Sequence, residues 1–173
     1  MSKHTAHGRV RVAVTGLGAL TPVGLSAEET WQGLVAGRSG TGHITQFDPS
    51  GYPCRVAGEV KGFDARNHMD AKEARRMARF SQLAVAAARE ALADAGLSVE
   101  GDERARLGVL IGTCVGGFSD IESATRLLIE KGASRVSPFF VTAMMHNAPA
   151  GQISRAFGLT GYNSTVTTAC AAP

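Results

Sequence analysis

The chain is 173 residues long, 44% hydrophobic and 19% charged, with a formal net charge of +3, a balance that suits one globular unit with its own core. The mild positive charge permits an acidic partner, but there are no dense Lys/Arg clusters of the kind that nucleic acid requires. No run of about 18 apolar residues could cross a bilayer and the polar start lacks a signal-peptide core, which predicts a cytoplasmic protein with no membrane contact.

In chain order the sequence predicts alternating strands and helices, hence an α/β fold with a mostly parallel sheet. Residues 1–8 are expected to form a disordered tail, and a first strand runs from Arg9 to Thr15, closed by Gly16-Leu-Gly18. Ser26-x-x-Glu29 is a capping box that opens a short helix through Trp31 to Ala36. Ser39 to Asn67 is rich in Gly, Pro and polar residues and reads as a surface excursion with strand-like stretches near Arg55 to Val60. Asp70-x-x-Glu73 opens the longest helix, running to Ala95, whose middle, Leu83 to Ala88, suits burial on most sides. A second strand covers Arg106 to Ile111, a glycine-rich loop follows, and a helix spans Ser119 to Lys131. Ser137 and Pro138 supply an N-cap and an N1 proline to a short apolar helix over Phe139 to Met145. A further helix from Ala148 to Phe157 ends at Gly158, and a β-branched strand then leads to Cys170. No internal repeat or linker interrupts the chain, which looks like one folding unit cut before it closes.

The chain has three cysteines, Cys54, Cys114 and Cys170. They are odd in number, widely spaced and free of any C-x-x-C pair, so neither a disulfide framework nor a zinc site is expected. Cys170 stands at the carboxyl end of a strand, where α/β proteins put nucleophiles. The start of a following helix would favour its thiolate through unpaired N–H groups and the positive dipole end. Cys114 reads as a small buried hydrophobe, and His43 and His146 as surface or hydrogen-bonded structural histidines.

Four ordered stretches carry a resemblance: Val12 to Gly24, Ile111-Gly-Thr-Cys-Val-Gly-Gly117, Ser137-Pro-Phe-Phe140 and Thr167-Thr-Ala-Cys170. Together they resemble the N-terminal part of a β-ketoacyl-[acyl-carrier-protein] synthase, most like the elongating KAS II kind of type II fatty acid synthesis. The resemblance implies a thiolase-like layered α/β fold of two similar halves, each with a mixed five-stranded sheet, of which residues 9–173 would be most of the first. It implies that Cys170 takes an acyl group as a thioester, with its backbone N–H as one oxyanion donor, before decarboxylating condensation with a malonyl carrier thioester. A thiol suits that intermediate because sulfur both attacks and leaves well. The two histidines, the lysine and the other oxyanion donor of the family come from the second half, so this chain alone is expected to be inactive.

The same resemblance puts Val115 at the acyl-chain pocket and Phe140 at the pocket wall given to the partner subunit; core packing is the alternative for both. It assigns Lys72, Arg75, Arg76 and Arg135 to contacts with the acidic acyl carrier protein. Lys72, Arg75, Arg76 and Arg79 also fall at spacings that gather several on one helix face, for which a solvated face is the plain alternative. A homodimer is expected, with Asn163 to Thr168 pairing across the two-fold axis, and no cofactor or metal is implied. Ala171-Ala172-Pro173 departs from the small serine, threonine or glycine residues common after the family's nucleophile.

Other readings share these residues. A ketosynthase of a type II polyketide pathway fits the Thr-Ala-Cys context, and a truncated half-domain acting only in dimerisation fits the abrupt end. An NAD-dependent oxidoreductase fits Val14-Thr-Gly16-Leu-Gly18 poorly, because Thr21 stands where the third glycine of the dinucleotide fingerprint belongs and Pro22 follows it. These glycines then serve a tight turn and close packing.

Overall fold

The structure is a computed structural model that describes residues 10–172. The expected tail, Arg9 and Pro173 lie outside the described residues.

Helix α1 (Ala27–Val35) starts where its capping box lies. Ser26 Oγ accepts the Glu29 N–H at 3.0 Å, and the Glu29 carboxylate accepts the Leu25 N–H at 2.7 Å, so orphan donors at the helix start are satisfied from both directions. The excursion that follows contains an antiparallel pair, β1 (Thr41–His43) against β2 (Val56–Gly58). Buried Glu59 closes it by accepting the Thr45 and Gln46 N–H groups and the Thr45 hydroxyl. Those bonds favour the ionised carboxylate and hold its pKa below the ordinary value.

The long helix expected from Asp70 to Ala95 is instead two. Asp70 caps as its motif requires, accepting the Lys72 and Glu73 N–H groups. Yet α2 (Ala71–Ala74) lasts one turn, Ala78 is extended at ψ 154°, and α3 (Arg79–Asp94) starts afresh. Every residue between them is compatible with helix, so propensity hides the break and tertiary contact decides it. Met77 and Ala78 are buried at the bend, and Gln82 Nε2 donates to the Ala74 and Met77 carbonyls, at 2.8 and 3.1 Å.

A short helix, α4 (Glu103–Arg106), occupies the start of the expected second strand, so β3 is Val109–Thr113. Next come α5 (Phe118–Lys131), a 3-10 turn over Ala133–Arg135, and α6 (Phe140–Met144). Ser137 Oγ accepts the Phe139 N–H at 3.2 Å, but Pro138 and Phe139 form a turn, so α6 opens one residue later than its cap signal implies. Helix α7 (Ala148–Phe157), ended by Gly158, leads to β4 (Asn163–Thr167).

Strands β3 and β4 pair in parallel, with Val109 opposite Asn163 and Thr113 opposite Thr167. Helix α7 covers one face of this pair and packs on α3. Val85, Val109, Ala150 and Ile153 meet in the core, where Ala84 and Ala88 on α3 let the helices approach closely. Asn163 Nδ2 ties β4 to α7 by donating to the Ala150 carbonyl and Ser154 Oγ. The opposite face of the pair is bare: Leu110 is 66% exposed. Of the five-stranded sheet the resemblance implies, the described residues contain this parallel pair, beside the separate β1–β2 hairpin.

The expected first strand is absent from the described residues. Val10 makes an isolated bridge, residues 11–20 have no regular structure, and Val12 is 92% exposed. A strand exists only with a ladder partner, and here the chain is tied to α3 instead. Leu17 N–H donates to the Asp94 carboxylate at 2.8 Å and Ala19 N–H to the Glu90 carboxylate at 2.9 Å. Gly16 and Gly18 lie against α3 so closely that a Cβ would collide with the Ala91 and Ala87 carbonyls, in keeping with a packing role for these glycines.

Candidate active site

The carboxyl ends of β3 and β4 lie side by side, since Thr113 is opposite Thr167. Two segments leave from that end: the loop Cys114 to Gly117 and the 3-10 turn Ala169–Ala171. Open parallel sheets hold ligands at this end. Cys170 sits exposed in the middle of its turn. Ala169, directly before it, has φ 50°, the positive-φ non-glycine residue among those described. That conformation costs an L-residue about 1–2 kcal/mol, and it bends the chain off the line of β4 just ahead of the thiol.

Val115 is 48% exposed on the loop that leaves the end of β3. Cys114 is exposed as well, correcting its expected burial. The physical reason is the loop's turn: Gly116 takes φ 74° and carries the chain away from the core into α5. Gly117 N–H then donates to the Met144 carbonyl at 3.1 Å, joining this loop to α6.

Phe140, at the start of α6, borders a cavity of about 230 Å³ shared with Arg75, Arg76, Asp120, Phe139 and Ala143. Two residues expected at the carrier-protein surface and one expected at the acyl wall therefore meet around one hollow. The Arg76 guanidinium carbon lies 4.6 Å from the centre of the Phe139 ring, within cation–π range.

The remaining basic residues separate. Because the helix breaks, Lys72, Arg75, Arg76 and Arg79 do not share one helix face: Lys72 lies in α2, Arg75 caps it, Arg76 is in the bend and Arg79 opens α3. Arg79 Nη2 donates to the Val60 carbonyl at 2.6 Å, and its guanidinium lies over Phe63. Arg135 closes the 3-10 turn, exposed and off the cavity lining. His43 and His146 are exposed, with His43 Nδ1 3.2 Å from the Ile44 carbonyl.

Phe139, Asp120 and the Gly116–Gly117 pair escaped sequence reasoning as site residues. Adjacent glycines after a strand were a usable signal, because they mark close backbone approach. The contact of Arg76 with Phe139 had none, since it depends on the bend between α2 and α3.

The family model described as beta-ketoacyl synthase, N-terminal domain, matches residues 9–172. A protein of Synechocystis named 3-oxoacyl-[acyl-carrier-protein] synthase 2 is 47% identical over 162 residues, which cover 94% of this chain and 39% of that protein. Among solved structures, the ishigamide ketosynthase/chain length factor aligns with a TM-score of 0.77 at 33% identity, covering 91% of this chain and 40% of its own. A type II polyketide acyl-carrier protein in complex with its ketosynthase, bound to the hexaketide, aligns with a TM-score of 0.74 at 25% identity, over 94% of this chain and 42% of that one.

The fold is thus the layered α/β, thiolase-like fold of the ketosynthases. The chain belongs to the β-ketoacyl synthase family, matching its N-terminal domain. It spans 39% of the length of the Synechocystis relative.

Proposed function

We propose that this chain carries the acyl-accepting part of an elongating β-ketoacyl-[acyl-carrier-protein] synthase. Cys170 Sγ attacks the thioester carbonyl of an acyl carrier protein, the bond from that carbonyl to the carrier's sulfur breaks, and the thiol proton passes to the departing sulfur. A backbone N–H at the turn would steady the negative charge that develops on the carbonyl oxygen. The observation that carries this proposal is the exposure of Cys170 on a strained turn at the carboxyl end of the β3–β4 pair, within the stretch that matches the family. Val115 would line the acyl pocket of its own subunit, and Phe140 would wall that of the partner subunit.

Condensation with a malonyl thioester, with loss of carbon dioxide, is proposed for the whole synthase. The resemblance puts the family's two histidines and lysine in its second half, beyond the N-terminal domain matched by residues 9–172. Arg75 and Arg76, with Lys72 and Arg135, would meet the acidic carrier. The solved complex of a ketosynthase with its acyl-carrier protein supports a carrier of this kind. A homodimer is proposed through β4, whose outer edge has no strand beside it among the described residues.

The acyl chain is proposed to belong to fatty acid synthesis, as in the relative that is 47% identical. A polyketide substrate is the second reading, supported by the hexaketide-bound ketosynthase at 25% identity. The test is incubation with fatty-acyl and polyketide carrier proteins, followed by intact mass measurement. Acyl uptake that is lost in Cys170→Ala supports the proposal; equal uptake by wild type and Cys170→Ala rejects it. Charge reversal of Arg75 and Arg76 to glutamate should weaken carrier binding at low salt, and unchanged affinity would reject that surface.

A further inference from the structure

Two groups that the proposed function uses separately border the same cavity beside one aromatic ring. Arg76 belongs to the proposed carrier-protein surface, and Phe140 to the proposed acyl wall. Phe139 lies between them: its ring carries the Arg76 guanidinium at 4.6 Å, and its backbone opens the turn on which Phe140 stands. Among the described residues Arg76 makes no ion pair with a carboxylate, the pairs being Arg66 with Asp64, Arg126 with Glu122 and Arg155 with Glu73.

Helix α6 has five residues, too few to hold a position by itself. Besides its packing on α5 and α7, it is held by buried Ala143, the Gly117 to Met144 bond and, at its first turn, the Phe139 ring under Arg76. Removing the third loosens the first turn, which carries Phe140. Hydrogen bonds from a guanidinium to a carboxylate are stronger than an exposed cation–π contact, so an acidic protein docking at Arg76 draws it off the ring.

We propose that Phe139 is a positioning residue that couples carrier docking to the acyl wall given to the partner subunit: its ring holds Arg76 until the carrier's carboxylates take it, and the release shifts Phe140. This rests on the proposed function, which supplies the acidic carrier and the role of Phe140. Coupling of this kind is reciprocal, so whatever moves Phe140 alters affinity for the carrier by the same factor. Its size is bounded by the contact that is exchanged, roughly two- to fivefold in affinity.

The experiment is a double-mutant cycle on the 173-residue chain, using unacylated acyl carrier protein as the probe and titration calorimetry at low salt. Arg76→Gln should weaken binding. Phe139→Leu, which keeps an apolar side chain but removes the ring, should tighten binding about two- to fivefold with Arg76 present and leave it unchanged in the Arg76→Gln background. Fluorine NMR of a fluorophenylalanine at Phe140 should shift on carrier addition in wild type and stay still in Arg76→Gln. If Arg76→Gln binds as well as wild type, the carrier surface itself is wrong. If Arg76→Gln binds more weakly but Phe139→Leu changes nothing, or the Phe140 signal stays still in wild type, the carrier surface stands and the coupling is overturned. Circular dichroism of each variant checks that it is folded.

Discussion

Gly117 donates its backbone N–H to the Met144 carbonyl at 3.1 Å, so the loop that carries Val115 and the helix that carries Phe140 are pinned to one another. The approach is tight. A Cβ on Gly116, at φ 74°, would stand 2.5 Å from the Met144 oxygen, and one on Gly117 would stand 3.0 Å from Met144 Cα. The loop proposed for one acyl pocket and the helix proposed to wall the partner subunit's pocket are therefore joined by backbone contact, and glycine is the residue that admits it.

Gly116→Ala tests that seam. It combines left-handed strain with a backbone collision, and should cost about 2–4 kcal/mol in denaturant unfolding. Gly37→Ala is the control, because Gly37 has φ 64° with open space around it; strain alone should cost it about 1–2 kcal/mol. Equal losses would mean that the seam contributes nothing.

Glu90 is the second joint. From α3 its carboxylate accepts the Ala19 N–H at 2.9 Å and the Ala27 N–H at 2.7 Å, the latter in the first turn of α1. Charge-assisted bonds at a helix start add the dipole's attraction to that of the hydrogen bonds. Glu90→Ala should lose about 2–3 kcal/mol, with hydrogen exchange accelerated first in α1 and in residues 17–20. Uniform acceleration across α7 and β3 would argue against so local a role.

Asp64 should titrate far below an ordinary aspartate. The Arg66 side chain bonds it first, then the Arg66 backbone N–H, and together they lower its pKa from 3.8 to about 2. A depressed carboxylate stabilises the fold above its ordinary pKa and loses that contribution as pH falls through the folded value, so the window runs from 3.8 down to about 2. Both side chains are exposed, which screens the effect. In carboxyl-detected NMR, Arg66→Gln should raise the Asp64 midpoint toward 3.8; an unmoved midpoint would assign the shift elsewhere.

Ala169 carries the strain next to the thiol. Ala169→Val places a β-branched side chain at φ 50° and should cost more than about 1 kcal/mol, while Ala169→Gly should be neutral or stabilising. Thermal midpoints decide this. A valine variant as stable as wild type would show that the turn is not held at this φ.

The sequence was most legible where a local chemical signal marked an element. The Ser26 box, the Asp70 cap and Gly158 each stand at a boundary the structure keeps, and the ordered motifs led to the family that the comparisons show. It was least legible where distant contact decides. The bend at Arg75 to Ala78 lies in good helix formers, the apolar stretch from Val10 to Val14 finds no ladder partner, and Cys114 turns outward because of Gly116. The candidate site shows the same division. Cys170 could be chosen from its strand and turn, whereas the cavity joining Arg76, Phe139 and Phe140 exists only after folding.

The most direct measurement is peptide-level mass spectrometry after incubation with fatty-acyl carrier protein. The three thiols are all exposed and serve as controls for one another. The acyl mass should appear on the peptide containing Cys170, leave Cys54 and Cys114 unmodified, and vanish with hydroxylamine, as a thioester does. Acylation spread evenly over the three cysteines, or found on Cys54 or Cys114 and not on Cys170, would contradict the assignment of Cys170 as the acyl acceptor.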